Sequence, residues 1–528
     1  MKTFKLYPVH LFPFFFAAGL ALAGCGGGGE GAQDGDEAGD GADAVDDRAD
    51  GTDADGDAAD GADAAGDADE DGAGPDIIPD TPGDDPGGDP DAEDAVDAIE
   101  TGDVTGPELP RGLAWVRSNP MFISGLTVSM GAPSAAAVNA YFDDFKANAV
   151  HLWEDGLPTE MDGWRAAGRD ELRFVSWVRD DGTSHDGGAV IGGYPAGAEG
   201  RIGYQVGDEP RSMDDLLETE AGADAVRAAD PDALIIVNFS FEPDEIEEML
   251  AYTCENVDGD VISYDHYTRS NGAYRTMEMF RAYALGCDKP YWRYLNAYQD
   301  LGESDWPSES DMRWNAFVGL VYGYTGHTWF IYQIAPAHGL WSAFFEAAGD
   351  FGSAGTARFD IAAQINVEMA HLGRSITRLT STDVRYVPGM EVLKPGGTTI
   401  WERGAGGDWL ITEITPLSGA TVQDVLAGFF NDDSGEKYFM IQNVNHTNGD
   451  WPVSSDAASM IRVRFDFSAV TDPGFDRTIL QSLNKMTGAV ETIPLIHVSG
   501  DTYLLEVTLP AGDAILLKYG TGADFMGL

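Results

Sequence analysis

Cysteine and positive charge are the two scarcities of this chain: three cysteines in 528 residues, and 31 Lys plus Arg against 90 Asp plus Glu. So few thiols exclude a disulfide-built scaffold or a cysteine-rich zinc module. A formal net charge of -59 argues against nucleic acid and against any anionic polymer as partner. Several chemistries are excluded by missing motifs. There is no Gly-x-Ser-x-Gly elbow, no His-Glu-x-x-His and no phosphate loop. No Gly-x-Gly-x-x-Gly turn follows the first predicted strand, which counts against a doubly wound open sheet. His266, His327 and His338 are too scattered for a metal centre, so structural histidines are expected and neither a metal nor a cofactor is called for. The one long apolar run, Leu11 to Ala23, is shorter than the ~20 residues that cross a bilayer.

That run follows Met1-Lys2 and Lys5 and ends Leu22-Ala23-Gly24-Cys25. A charged start, a short apolar core and small residues before a cysteine predict a lipoprotein signal over 1–25. Cys25 is then the lipidated residue and membrane anchor, at a bacterial outer membrane or cell surface. From Gly26 to Thr105 there are 29 acidic residues and one arginine, a net of -28, with almost no aromatic residue. Like charge and little apolar mass predict an unfolded, extended tether over 26–110. Asp53-Ala54-Asp55-Gly56-Asp57 hints at a calcium loop, but the glycine and terminal glutamate of such a loop are missing. Only Cys254 and Cys287 remain, and in an exported protein they are candidates for a disulfide. Neither has a neighbouring histidine that would make it a nucleophile.

From about Pro120, apolar strand runs alternate with amphipathic helical segments, including Phe122 to Ser129, Val150 to Trp153, Arg173 to Val178 and Ile202 to Gly207. Leu234 to Phe239, Val261 to Tyr264, Tyr291 to Asn296 and His327 to Tyr332 continue the series. Eight such units in about 260 residues predict a (β/α)8 barrel over 115–380. Past Ser381 the apolar period becomes two, with turns such as Pro395-Gly396-Gly397, and this predicts an all-β sandwich over 381–520. The fold class expected is therefore a TIM barrel followed by a sandwich, behind a disordered acidic tether.

In a parallel barrel the C-terminal strand ends carry the chemistry. Strand four ends Gly207-Asp208-Glu209-Pro210, so Glu209 projects beyond the sheet edge as a candidate acid. Strand two ends Trp153-Glu154, strand three Trp177, strand five Asn238, and strand six Asp265-His266-Tyr267. Strand seven ends Asn296-Ala297-Tyr298-Gln299, and strand eight includes Trp329, Tyr332 and Gln333. Aromatic faces stack on the apolar side of a sugar ring while amides and carboxylates take its hydroxyls, so this rim suits a carbohydrate. Trp153, Trp177 and Trp329 fit equally well as barrel core, and Asp208 as a brace of the strand-four turn.

Gly-Asp-Glu-Pro at strand four resembles the Asn-Glu-Pro of clan A glycoside hydrolases, whose strand-four glutamate is the acid/base. Tyr264-Asp265-His266-Tyr267 resembles that clan's strand-six motif, and Trp329 sits where its strand-eight tryptophan sits. Ile365-Asn366-Val367-Glu368 in the last helix, followed by a sandwich, is similar to family 42 β-galactosidase-like proteins. The resemblance implies Glu209 as general acid/base and a carbohydrate substrate. It also implies a strand-seven glutamate nucleophile, and here Tyr291 to Asp300 offers amides instead. Asp265 is the first candidate for the second carboxylate, as an inverting base, followed by Glu154, Asp300 and Glu303. Two functions stay open: a surface-anchored glycoside hydrolase, or a catalytically silent carbohydrate-binding lipoprotein on the same scaffold.

Overall fold

The computed structural model describes residues 109–528 apart from 129–130, 154–157, 168, 170–171, 184–195, 241–244, 269–271, 301–305, 336–338, 348–353, 390–396, 404–406, 418–423 and 448–452. Eight parallel strands close into a barrel. They are β1 (Phe122–Val128), β2 (Ala149–Leu152), β3 (Phe174–Val178), β4 (Arg201–Val206), β5 (Leu234–Ser240), β6 (Val261–Asp265), β7 (Tyr291–Asn296) and β9 (Gly326–Ile334). A short strand β8 (Tyr298–Asp300) leaves the end of β7 and pairs antiparallel with β10 (Leu340–Ser342). Closure pairs β1 with β9, Ser124 opposite Thr328, and the two hydroxyls hydrogen-bond at 2.9 Å inside the barrel.

Both faces of these strands are covered, which is why they read as apolar runs. One set of side chains packs into the barrel: Phe122, Ala149, Val175, Leu234, Ile236, Val261 and Trp292 form its lower core. A helix absent from the sequence expectation, α1 (Arg111–Ser118), closes that end by adding Trp115 and Val116 to the same core. Residues of opposite parity, such as Ile123, Val150, Val237 and Leu295, pack outward against the helical ring.

The ring contains α2 (Ala135–Asn139, continued by a wider π-helical turn over Ala140–Asp144), α3 (Pro158–Ala166), α4 (Met213–Ala229) and α5 (Ile246–Asn256). It is completed by α6 (Gly272–Gly286), α7 (Glu309–Tyr322) and α8 (Ala357–Ile376). Among the described residues no helix lies between β3 and β4. Local chemistry sets the helix ends. Ser212 caps α4 by accepting from the Asp215 N–H at 3.2 Å, with Asp214 and Asp215 in the first turn. Ser308 and Asp311 form a capping box on α7, and Gly323 ends it at φ 89°. Cys254 of α5 and Cys287 after α6 are joined by a disulfide, Cα–Cα 5.5 Å.

The sandwich has strands β11 (Thr380–Val387), β12 (Thr399–Ile400), β13 (Ile411–Pro416), β14 (Val425–Asn431), β15 (Lys437–Asn443) and β16 (Ser459–Asp466). It continues with β17 (Ile479–Leu483), β18 (Val490–Pro494), β19 (Ile496–Ser499), β20 (Thr502–Leu509) and β21 (Ala514–Tyr519). Seven strands in the order 12-11-14-15-21-17-18 face four in the order 13-16-20-19. Between the sheets lie Ile414, Val425, Phe439, Ile461, Phe465, Leu480 and Leu517.

Helix α7 is buried nearly all round because it lies between barrel and sandwich. Gly428 of β14 allows the approach: a Cβ there would stand 2.1 Å from the Val321 carbonyl. The junction also buries four charges. Arg313 meets Glu368 at 2.7 Å and Asp513 at 3.3 Å, and Lys485 reaches both carboxylates. Removing one member leaves the others buried without their partner. Glu368→Ala is accordingly expected to destabilise the protein by about 3–5 kcal/mol, read from the urea midpoint.

Candidate functional site

The strand alternation brings one polar residue from each of several strands to the upper floor of the barrel. His151 (β2), Asn238 (β5), Asp265 (β6) and Tyr294 (β7) have the parity of the inward core; Gln205 (β4), bonded to Tyr294, joins them beyond the register shift where β3 pairs with β4, and all five are buried. Above them the chain leaves β4 through a turn with two left-handed residues, Gly207 at φ 67° and Glu209 at φ 49°. Glycine is required at the first: a Cβ on Gly207 would lie 2.1 Å from Asp180 Oδ1. At Glu209 the left-handed backbone costs about 1 kcal/mol and is fixed by a bond from its N–H to the Asn238 carbonyl, 3.0 Å. Non-glycine residues in this region concentrate at functional sites.

One hydrogen-bonded network spans the floor. Tyr294 Oη donates to Gln205 Oε1 at 2.7 Å and lies 3.2 Å from His151 Nδ1. Gln205 Nε2 donates to Asp208 Oδ1 at 3.0 Å. Asn238 Nδ2 donates to the same Asp208 oxygen at 3.1 Å and to Asp265 Oδ1 at 3.2 Å. Asp265 is in turn hydrogen-bonded to the Glu209 carboxylate. Glu209 is the more open member of the couple, with a side chain 15% exposed, while Asp265 is 8% exposed beneath it.

Burial, and after it the Glu209 charge, raise Asp265 well above the ordinary carboxylate range, so Asp265 holds the proton in this bond. The same causes in the same order raise Asp208. Burial lowers His151 to about 3 and keeps it neutral. Among the described residues the cation paired with any of the three carboxyls is Arg211, 3.9 Å from Glu209, and its side chain is 53% exposed. The cluster is thus compensated by retained protons and amide donors.

Aromatic walls stand over this floor. Trp153 and Trp177 stack at 5.0 Å with an interplanar angle of 16°, and Trp177 Nε1 donates to the Gly207 carbonyl at 3.1 Å. Tyr267 stacks on Phe330 at 5.0 Å, and Tyr298 meets both rings edge-on.

The structure therefore brings together Asp208, Glu209, Asn238, Asp265, Tyr267, Trp153 and Trp177. It separates others. Trp329 points outward and is fully buried, its Nε1 bonded to Asn366 Oδ1 at 2.8 Å, so it braces β9 against α8. Tyr332 packs outward among Tyr141, Phe145 and Phe345. Gln333 is buried beside Thr127 in the β1–β9 pairing. His266 is held by Thr276 at 2.9 Å, and Gln299 is buried opposite Trp341 in the small β8–β10 sheet. Asn296 lies partly open at the end of β7. Glu154, Glu303 and the side chain of Asp300 lie outside the described residues. Asp265, expected as a base across from Glu209, instead lies against it and keeps a proton. Hydrogen-bond contact is closer than the ~5–5.5 Å of a nucleophile pair or the ~6.5–9.5 Å of a water-activating pair. His151, Gln205 and Tyr294 complete the floor and were not expected. Their only signal is a polar side chain inside a strand run.

Fold and site together define a (β/α)8-barrel protein with a carboxyl cluster at its C-terminal mouth and a β-sandwich behind it. No family model matches the sequence, and no curated protein matches it. Among solved structures, the chain is similar to a glycoside hydrolase at 12% identity, covering 77% of this chain and 94% of that one, TM-score 0.45. It is similar to a family 5 glycoside hydrolase from Bacteroides vulgatus at 12% identity, covering 76% and 90%, TM-score 0.44. An arabinofuranosidase matches at 11% identity over 78% and 98%, TM-score 0.39.

The raised Asp265 carboxyl has a measurable consequence. The folded chain keeps a proton that the unfolded chain releases above about pH 4, so this group's stabilisation is present at low pH and lost as pH rises toward its folded value. Asp265→Asn is expected to be more stable than the parent at about pH 8, with the difference closing toward about pH 4. Parallel pH–stability curves for the two would contradict the retained proton.

Proposed function

We propose that this protein hydrolyses O-glycosidic bonds at a cell surface, with Glu209 as general acid/base and a lipid on Cys25 as its anchor. The observation that carries the catalytic part is the Glu209–Asp265 couple at the barrel mouth. Asp265 keeps a proton against Glu209. Glu209, the member open to the mouth, is placed to relay that proton to the leaving oxygen. Asp208 and Asn238 hold the couple in register. The stacked Trp153–Trp177 pair supplies a face on which a sugar ring can lie. Cleavage adds water across the bond: hydroxyl to the anomeric carbon, proton to the leaving oxygen.

Glu209→Gln should lower hydrolysis of aryl glycosides or oligosaccharides by about 10²–10⁴-fold while sugar binding persists. A variant as active as the parent sinks the assignment, and a parent that binds sugars without cleaving any substrate on a broad panel supports the silent binding reading. For the anchor, Cys25→Ser should abolish incorporation of labelled fatty acid and release the chain from the membrane fraction. Unchanged labelling removes Cys25 from that role.

A further inference from the structure

The floor of the mouth holds acceptors that no described group satisfies. Tyr294 has one proton, which it gives to Gln205 Oε1, so the 3.2 Å contact with His151 takes its proton from Nδ1. Because His151 is neutral, its Nε2 carries a lone pair, and among the described residues no group donates to it. Asn238 spends its amide N–H groups on Asp208 and Asp265, and its Oδ1 likewise has no donor among the described residues. Asn296 Oδ1 is in the same position. His151 and Asn238 are 3% and 2% exposed and have the inward parity, so these acceptors belong to the mouth. Beside them stand three carboxyls, and among the described residues the cation paired with them is the exposed Arg211.

A buried acceptor without a donor costs about 1–3 kcal/mol, and a ligand that supplies the donor recovers it. Sugar hydroxyls bring an acceptor with every donor. An ammonium brings three donors, no acceptor and a positive charge that can stand in for the protons Asp208 and Asp265 retain. The net charge of -33 over residues 106–528 also draws cations toward the folded part and repels anionic sugars.

From this geometry we infer that the mouth selects a sugar bearing a free amino group, the ammonium seated among Asp208, Glu209, Asp265 and the Asn238 carbonyl oxygen. The inference rests on the sugar-handling reading above and narrows its substrate class. It predicts an order of affinity: cationic amino sugar, then neutral sugar, then uronic acid.

The test is calorimetric titration of the full chain, at physiological salt, with the glucosamine disaccharide, its di-N-acetyl form, cellobiose and a digalacturonate. The free amine is expected to bind at least about tenfold more tightly than either neutral disaccharide, and the digalacturonate most weakly. Asp265→Asn and, independently, Asp208→Asn should each bring the amine-to-neutral ratio toward one. Equal affinity for the amine and its acetylated form overturns the inference and leaves the glycosidic reading standing. An amine preference that survives both substitutions also overturns it, since the cation is then held by the acidic segment before the barrel or elsewhere on the surface. Failure of every probe, together with longer oligosaccharides, to bind the parent overturns the sugar-handling reading itself.

Discussion

Closure of the parallel sheet between β1 and β9 is the constraint on which the rest depends. An open sheet would leave His151 of β2 and Tyr294 of β7 at separate places along its width. Closure turns the inward parity of every strand toward one axis, and a 3.2 Å contact then links those two residues across the floor. The network through Gln205, Asp208, Asn238 and Asp265 follows from the same geometry, because it links the ends of β4, β5 and β6. The lower core, completed by Trp115 and Val116 of α1, keeps the barrel filled beneath it.

The carboxyl cluster sits against the grain of folding. Burial disfavours charge on Asp208 and Asp265, and the nearby Glu209 adds repulsion. The left-handed Glu209 adds backbone strain. These costs are offset by parts of the molecule remote from the mouth: the continuous apolar core that runs from the helical ring into the sandwich, and the fully partnered ionic group around Glu368. A site that keeps protons and strain while its scaffold is well satisfied has the distribution expected of chemistry placed on a rigid frame.

How far the sequence can be read depends on whether a residue's neighbours are local. Strand four and its acidic turn were readable because proline, glycine and an apolar run act within a few residues. The tryptophans show the limit. Trp153 and Trp177 line the mouth and Trp329 does not, yet all three belong to barrel strand runs; position along the strand and parity about a closed barrel separate them. Ile365-Asn366-Val367-Glu368 was readable as a feature of the last helix, but its work is structural, Asn366 holding Trp329 and Glu368 holding Arg313. His151 and Gln205 gave no local signal beyond interrupting an apolar strand.

The sequence by itself determined the kinds of element and their order: eight parallel strand runs, then a period-two segment, with Glu209 at the end of the fourth strand. Hydrophobic periodicity and turn chemistry are local, and a single chain carries them in full. Only the tertiary structure decided that Asp265 touches Glu209 and keeps a proton. Contact and desolvation are properties of pairs brought together from distant positions, and no spacing along the chain encodes their distance.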